Sequence, residues 1–327
     1  MFQQKNILYA SDEQFAEILA VSMESLLRHN PDAIVYILNN GLSQESIRRL
    51  KGQAQKHHSE IKFVPLKKLE EYAGRELSCQ KKISKTSYFR LFMAEILSES
   101  VEKLLYLDCD TMIMNSLDHL FNLNLEGLCG AVAEPTAPLM KKKIHLTPND
   151  VYFNAGVLLV DLNKWRKYQI TKKFILYMDK MKGLISFEDQ GVINHVLHNQ
   201  IDVLPMKYNV TTQYFDFGYE GLSLMKKDKV VYSKEEVADG IYNPSIIHFT
   251  NSFASERPWI EGCEHRYASE WRQIRKQTEW PDLKLRPSKK DTARKVSRMI
   301  YRVLPGQAKY KFIYFANGIV RALLCHS

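Results

Sequence analysis

Three short apolar runs separated by two helical patterns open the chain: Asn6-Ile7-Leu8-Tyr9-Ala10, then Ala33 to Leu38, then Ile61 to Leu66. Ser11-Asp12 supplies a turn and a helix cap. After it, Phe15, Ile18, Leu19, Ser22, Met23, Leu26 and Leu27 recur at i, i+3 and i+4, an amphipathic helix. Ser43 to His57 forms a second, more polar helix. This strand–helix alternation predicts a parallel, doubly wound sheet that begins at the N-terminus. It is the arrangement of nucleotide-binding halves. Neither GxGxxG nor GxxxxGK[ST] occurs, which argues against dinucleotides and P-loop chemistry.

A further strand predicted for this sheet ends in unusual chemistry. Between Val101 and Asn115 the chain reads VEKLLYLDCDTMIMN, an apolar run bounded by charge and closed by Asp108-Cys109-Asp110. Two carboxylates just past a buried strand sit where open α/β sheets place their ligands. At i and i+2 of an extended backbone they share one face and reach one point. A hard divalent cation takes oxygen ligands and offsets their repulsion. A strand end followed by a polar turn is the alternative at this stage.

Upstream, Lys85 to Phe92 opens a helix with Tyr88, Leu91, Phe92 and Ile96 on an apolar face. Arg90 on it is either a surface residue or a clamp for an anion or sugar, since a planar guanidinium suits phosphate oxygens. Downstream, Gly127 to Glu134 reads as a buried strand, and Met140 to Pro148 as a polar, mobile loop over the site. Phe153 to Leu162 is a small polar knuckle followed by an apolar strand. Glu188, Asp189 and Gln190 cap the helix of Val192, Ile193, Val196 and Leu197. Residues 211 to 243 read as an irregular, aromatic-rich connection, and Ser245 to Thr250 as a strand carrying His248. Asp12, Asp108, Asp110 and His248 are thus all expected at carboxyl ends of parallel strands, on one rim.

Charge is unevenly spread. Of 46 Lys and Arg, eleven fall from Lys284 onward against Asp291 alone, so the body is neutral and the tail strongly basic. Pro281 to Lys290 reads as a linker. Beyond it, basic residues interleave with Val296, Met299, Ile300 and Val303, and a second segment runs from Tyr310 to Leu324. This basic amphipathic tail (281–327, after a body at 1–280) suits an anionic membrane interface. Its apolar content exceeds what phosphate contact needs, so no nucleic acid is expected as partner. No stretch of about 18 apolar residues occurs, and no signal peptide opens the chain. Five unpatterned cysteines fit free thiols of a reducing compartment. The expected location is cytoplasmic, peripheral on the inner face of the membrane.

Six ordered segments (ILYASDEQF, KTSYFRL, LLYLDCD, YFNAGVLLVDL, FEDQGVIN and IIHF…RPW) resemble glycosyltransferase family 8, the retaining GT-A enzymes that include bacterial lipopolysaccharide galactosyl- and glucosyltransferases. The resemblance runs from Asn6 to about Trp259. It implies a GT-A fold, a Rossmann-like mainly parallel sheet flanked by helices, and transfer of galactose or glucose from a UDP-sugar to a saccharide acceptor, lipid-linked in lipopolysaccharide synthesis. It further implies that Ala10, Asp12 and Gln14 border uracil and ribose, and that Asp108, Asp110 and His248 hold Mn²⁺, with Mg²⁺ as the alternative ion. Arg90, Asn154, Ala155, Asp189 and Gln190 would surround the donor sugar, with Asp189 and Gln190 the catalytic pair. Glu134 falls near an Asp of the family that contacts that sugar.

Two departures stand out. The family commonly closes with His-x-x-Gly-x-x-Lys-Pro-Trp. Here HFTNSFASERPW is three residues longer, with Asn251 at the Gly position and Arg257 in place of Lys, facing the diphosphate. Gly191 follows the Asp-Gln pair where an acidic residue stands in a close family member. LLYLDCDT also fits the opening of haloacid-dehalogenase-type phosphatases, although about a hundred structured residues precede it here. A non-catalytic sugar-binding relative is the remaining alternative.

Overall fold

The computed structural model describes residues 4–67, 71–72, 85–182, 184–228, 230–282, 284–288, 292–306 and 308–312. The three N-terminal strands form where expected: β1 (Asn6–Ser11), β2 (Ile34–Asn39) and β3 (Glu60–Pro65). They are joined by helices Ala16–His29 and Gln44–Lys56, the second capped by Ser43 Oγ on the Ser46 amide. The apolar stripe of the first helix is fully buried on the sheet, and Leu19, Val21, Met23, Leu26 and Leu27 have no exposed surface. β4 (Lys103–Leu107) pairs with β1, and β6 (Cys129–Ala133), β7 (Phe153–Asp161) and β8 (Ile201–Val203) complete a seven-stranded sheet in the order β3-β2-β1-β4-β7-β6-β8.

Six of these strands run one way. β7 alone is antiparallel to both neighbours, β4 and β6. This reversal brings the start of β7, Phe153-Asn154-Ala155, to the edge where the other strands end. The polar knuckle read before the strand is therefore part of it.

β5 (Thr111–Ile113), β9 (Val210–Thr211) and β10 (Ile246–His248) form a second sheet, with β10 antiparallel to β5 and parallel to β9. The expectation that Asp110 and His248 end parallel strands of one sheet is corrected here. Asp110 lies in the turn into β5, and His248 ends β10, paired with Thr111. Nor is Asp108-Cys109-Asp110 extended. The Thr111 amide and hydroxyl both donate to the Asp108 carbonyl, at 3.2 and 2.9 Å, and close a tight turn.

Three other readings change. Residues 211–243 hold two helices, Thr212–Lys226, kinked at Gly218, and Lys234–Tyr242, opened by a Ser233/Glu236 capping box. Of the aromatic residues there, Tyr214 and Phe217 lie on the buried face of the first helix, and Tyr232 is buried just before the second. The expected mobile loop contains helix Pro138–Lys142, whose Lys141 is buried and ion-paired to Asp228 at 2.9 Å. The stretch from Lys85 winds as short turns, Lys85–Tyr88, a tighter Phe89–Phe92 and Met93–Ile96.

At the C-terminal side, helix Thr292–Val303 packs Tyr301 against Phe217 and Phe253 and pairs Arg302 with Glu264. No helix among the described residues is long and apolar enough to cross a membrane. Cys109, Cys129 and Cys263 are free thiols, and Cys79 and Cys325 lie outside the described residues.

One buried histidine here gives a pH prediction. His265 packs edge-on against Phe215 and Phe249, and its Nδ1 accepts from the Tyr267 amide at 3.2 Å. Burial, with Arg266 nearby, lowers its pKa to about 4. The unfolded imidazole protonates near pH 6.5, so stability is intact above that pH and falls as pH drops toward 4. The loss is on the order of 3 kcal/mol. His265→Asn keeps an acceptor for Tyr267 and removes the titration. Its urea stability is expected to fall less steeply over that interval, and parallel curves for the two proteins would refute the assignment.

Candidate active site

The site gathers at the rim where β1, β4 and β6 end and β7 begins. Asp108 follows β4, and Arg90 reaches it from the turn Phe89–Phe92. Arg90 Nη2 lies 2.8 Å from Asp108 Oδ1 and Nε lies 2.7 Å from Asp189 Oδ2. Nη1 donates to the Ala155 carbonyl at 2.7 Å, and the guanidinium stacks 4.3 Å above the Tyr106 ring. The Tyr106 hydroxyl in turn donates to Asp108 Oδ1 at 2.9 Å. Arg90 is buried, so the surface reading of this residue is set aside. Burial disfavours its charge, but Asp108 and Asp189 more than offset this and hold its pKa above the usual range. Asp189 is pushed up to about 6 by burial, which the shared guanidinium only partly opposes.

The carboxylates of Asp108 and Asp110 converge with His248. One ligand atom from each lies within 4.8 Å of the others. His248 Nε2 is 3.2 Å from Asp110 Oδ1 and 3.7 Å from Asp108 Oδ2. Its other nitrogen, Nδ1, meets Asn209 Oδ1 at 3.0 Å. An amide oxygen only accepts, so Nδ1 carries the proton and Nε2 faces the carboxylates. Burial would depress His248, yet Asp110 and Asp108 raise it. Burial would likewise raise Asp110, but His248 and Arg257 bring it down to about 2. Arg257 Nη2 stands 3.3 Å from Asp110 Oδ2. Two carboxylate oxygens and one oriented imidazole fit a divalent cation.

Beside this cluster runs a polar chain. Asn209 Nδ2 donates to Asn154 Oδ1 at 2.9 Å, and Asn154 Nδ2 donates to Glu134 Oε2 at 2.9 Å. Gln190 Oε1 accepts from the Ala155 amide at 2.9 Å and its Nε2 donates to the Tyr152 hydroxyl at 2.8 Å. Asp189 and Gln190 lie within helix Glu188–Val196 rather than capping it. The turn before them is left-handed at Phe187 and Glu188, φ 64° and 55°. Such backbone is costly for side-chain-bearing residues and aims both side chains inward.

On the other flank Ala10 is the penultimate residue of β1, and its carbonyl accepts from Cys109 Sγ at 3.3 Å. Asp12 Oδ1 caps the following 3-10 turn through the Gln14 amide at 3.1 Å. The structure therefore brings Arg90, Asp108, Asp110, Asn154, Ala155, Asp189, Gln190, His248 and Arg257 into one polar network, with Asp12 and Gln14 on the neighbouring strand end.

Four participants were missed in the sequence. Tyr106 had a signal, since it shares a strand face with Asp108. Gly156 and Tyr152 lie in or beside the quoted knuckle. Asn209 had none, being fixed by a short 3-10 turn far from His248 in sequence.

The chain belongs to glycosyl transferase family 8, whose family model matches residues 6–263. A lipopolysaccharide 1,2-glucosyltransferase of Escherichia coli is 26% identical over 97% of this chain and 89% of its own length. General stress protein A of Bacillus subtilis is 24% identical over 84% of this chain and 94% of its own. A putative glycosyltransferase of Haemophilus influenzae is 30% identical, and there the match spans 64% of each chain. The galactosyltransferase LgtC, solved in complex with donor and acceptor sugar analogues, superposes with a TM-score of 0.70 at 24% identity, over 84% of this chain and 96% of that one. The fold is thus of GT-A type, and the phosphatase reading of LLYLDCDT gives way to glycosyl transfer.

Proposed function

We propose that this chain is a metal-dependent, retaining hexosyltransferase that moves galactose or glucose from a UDP-sugar to a saccharide acceptor. The observation that carries the reading is the convergence of Asp108, Asp110 and His248 within 4.8 Å beside a buried Arg90 and Arg257. Bound by those three side chains, Mn²⁺ would supply charge neutralisation at the departing diphosphate. Arg257 lies beside the same carboxylate and suits a phosphate oxygen. Ala10, Asp12 and Gln14 border the nucleoside. Arg90, Asn154, Ala155, Asp189 and Gln190 surround the sugar, with Asp189 and Gln190 at the reacting side.

A cavity of about 480 Å³ of mixed lining opens next to Glu134 and Tyr152, with Lys141, Asp150 and Asp228 beside Pro138, Val151 and Val231. It gives the acceptor sugar room beside the donor. We assign that acceptor to lipopolysaccharide or lipooligosaccharide core, in keeping with the Escherichia coli relative. The basic tail holds the enzyme on the cytoplasmic membrane face. Val296, Met299, Ile300 and Val303 form an exposed stripe at i, i+3, i+4 and i+7 that suits the interface.

The test is a panel of UDP-sugars read by hydrolysis and thermal shift, with and without chelator. UDP-galactose or UDP-glucose is expected to be turned over, with turnover lost in chelator and restored by Mn²⁺. Failure of every UDP-sugar, or turnover indifferent to chelation, would sink the reading. Sedimentation with anionic vesicles checks the tail, and absence of protein from the pellet would remove it.

A further inference from the structure

Residues 284–288 lie outside the span matched by the family, yet they run along the rim assigned above to the donor nucleotide. Arg286 is the centre of this strap. Its amide donates to the Trp259 carbonyl at 2.8 Å, and its carbonyl accepts from the Glu261 amide at 2.9 Å, a parallel bridge with Ile260. Two residues on, Ser288 Oγ donates to Glu256 Oε1 at 2.7 Å. The Arg286 guanidinium crosses to the turn and helix that follow the first strand, where Nη2 donates to the Gln14 carbonyl at 2.7 Å and lies 3.6 Å from Glu17 Oε2. The stretch read in the sequence as a linker is thus bonded to the body at both faces.

The Gln14 end matters because Glu13–Phe15 is one 3-10 turn, too short to hold its shape alone. Asp12 is fixed through the Gln14 and Phe15 amides, each at 3.1 Å. Glu13 is fixed by the Ser43 amide at 2.7 Å and the Ser46 hydroxyl at 2.8 Å. The carbonyl side of Gln14 is held by Arg286. The Trp259 end matters because the Arg257 guanidinium lies 5.5 Å over the Trp259 ring on its way to Asp110. One residue therefore ties the turn bearing Asp12 to the loop bearing Arg257, beside helix Ala268–Arg275, which bonds the same loop through Arg272 to the Pro258 carbonyl and the first helix through Arg275 to Glu17.

We infer that Arg286 is a positioning residue for the nucleotide half of the donor, holding the Asp12 turn and the Arg257 loop at a set separation before UDP arrives. The inference rests on the UDP-sugar reading above. A site ordered in advance binds more tightly because less chain is immobilised on binding.

Calorimetry of UDP with Mn²⁺, on full-length wild type, Arg286→Ala and Arg286→Lys, tests it. Arg286→Ala should weaken UDP about 10-fold, the size of one charge-assisted hydrogen bond. Its kcat at saturating donor should stay close to wild type, because Arg286 touches protein and not the reacting atoms. Arg286→Lys should recover part of the affinity, since an ammonium reaches one carbonyl but spans less. Glu17 keeps its 2.9 Å partner Arg275 in both variants, so the fold is retained. An unchanged UDP affinity in Arg286→Ala, even with a lower melting temperature, would make the strap structural only and overturn the inference. Failure of wild type itself to bind UDP would overturn the donor reading, and the inference with it.

Discussion

Gly156→Ala is expected to cost about 10- to 100-fold in Mn²⁺ affinity and to lower turnover in step, the scale set by disturbing groups that orient metal ligands. Gly156 lies in β7, directly behind Asp108 and His248. A Cβ there would stand 2.2 Å from His248 Cε1 and 2.8 Å from Asp108 Oδ2, closer than any real contact. Backbone freedom is not the reason for glycine, because φ at this position is not in the left-handed region. The reason is space. Neither neighbour can yield: His248 is held by Asn209 and Asp110, and Asp108 by Arg90 and Tyr106. Overpacking of this kind typically costs 1–3 kcal/mol of stability, roughly, so a 300-residue domain still folds. Titration of Mn²⁺ with circular dichroism as control reads the result. Wild-type metal affinity in a folded Gly156→Ala protein would contradict the geometry.

Removing the charge of Arg90 should have the largest effect on stability. Its guanidinium is shared between Asp108 at 2.8 Å and Asp189 at 2.7 Å, and it also serves the Ala155 carbonyl. Arg90→Met strips Asp108 and Asp189 of the guanidinium they share, leaving Asp108 only His248 at 3.7 Å as an ion-pair partner among the described residues. Breaking a buried pair from one side costs about 3–5 kcal/mol. Arg90→Lys should recover little, because a point charge on a flexible stem cannot fork to two carboxylates at once. Adding Asp189→Asn to Arg90→Met should restore part of the loss, since one of the stranded charges goes. Urea unfolding of the two single variants and the double variant measures this coupling. Strictly additive losses would show that the ion pair is not what holds the site together.

Much of the fold could be read from short-range pattern. The β1–β3 alternation, the apolar run of β4 and the paired carboxylates after it depend on neighbours within a few residues, and they appear where periodicity puts them. The direction of β7 was not readable. A fully apolar strand buried on both faces looks the same whichever way it runs, and only its partners Lys103–Leu107 and Cys129–Ala133 decide it. Residues 211–243 read as irregular because their aromatic residues mask the helical period, yet Tyr214, Phe217 and Leu222 are core-facing helical positions. At the site, Asp108 and Asp110 announce themselves by type and spacing. Asn209 and Arg286 act through a carboxamide and a guanidinium whose partners lie 39 and 272 residues away. No local pattern encodes such contacts.

The smaller sheet has a consequence for how the protein comes into being. β5 follows directly on the two carboxylates, whereas β10, which carries the imidazole, is made after most of the chain. A ribosome-bound chain stopped before Ile246 holds Asp108 and Asp110 but neither His248 nor the strand that packs against Thr111–Ile113. The β1–β3 half is local and can form early, while this closure waits on distant contacts and their loop entropy. Completion of the Asp108–Asp110–His248 cluster is therefore a late event in biogenesis, and a prematurely ended product is born without it.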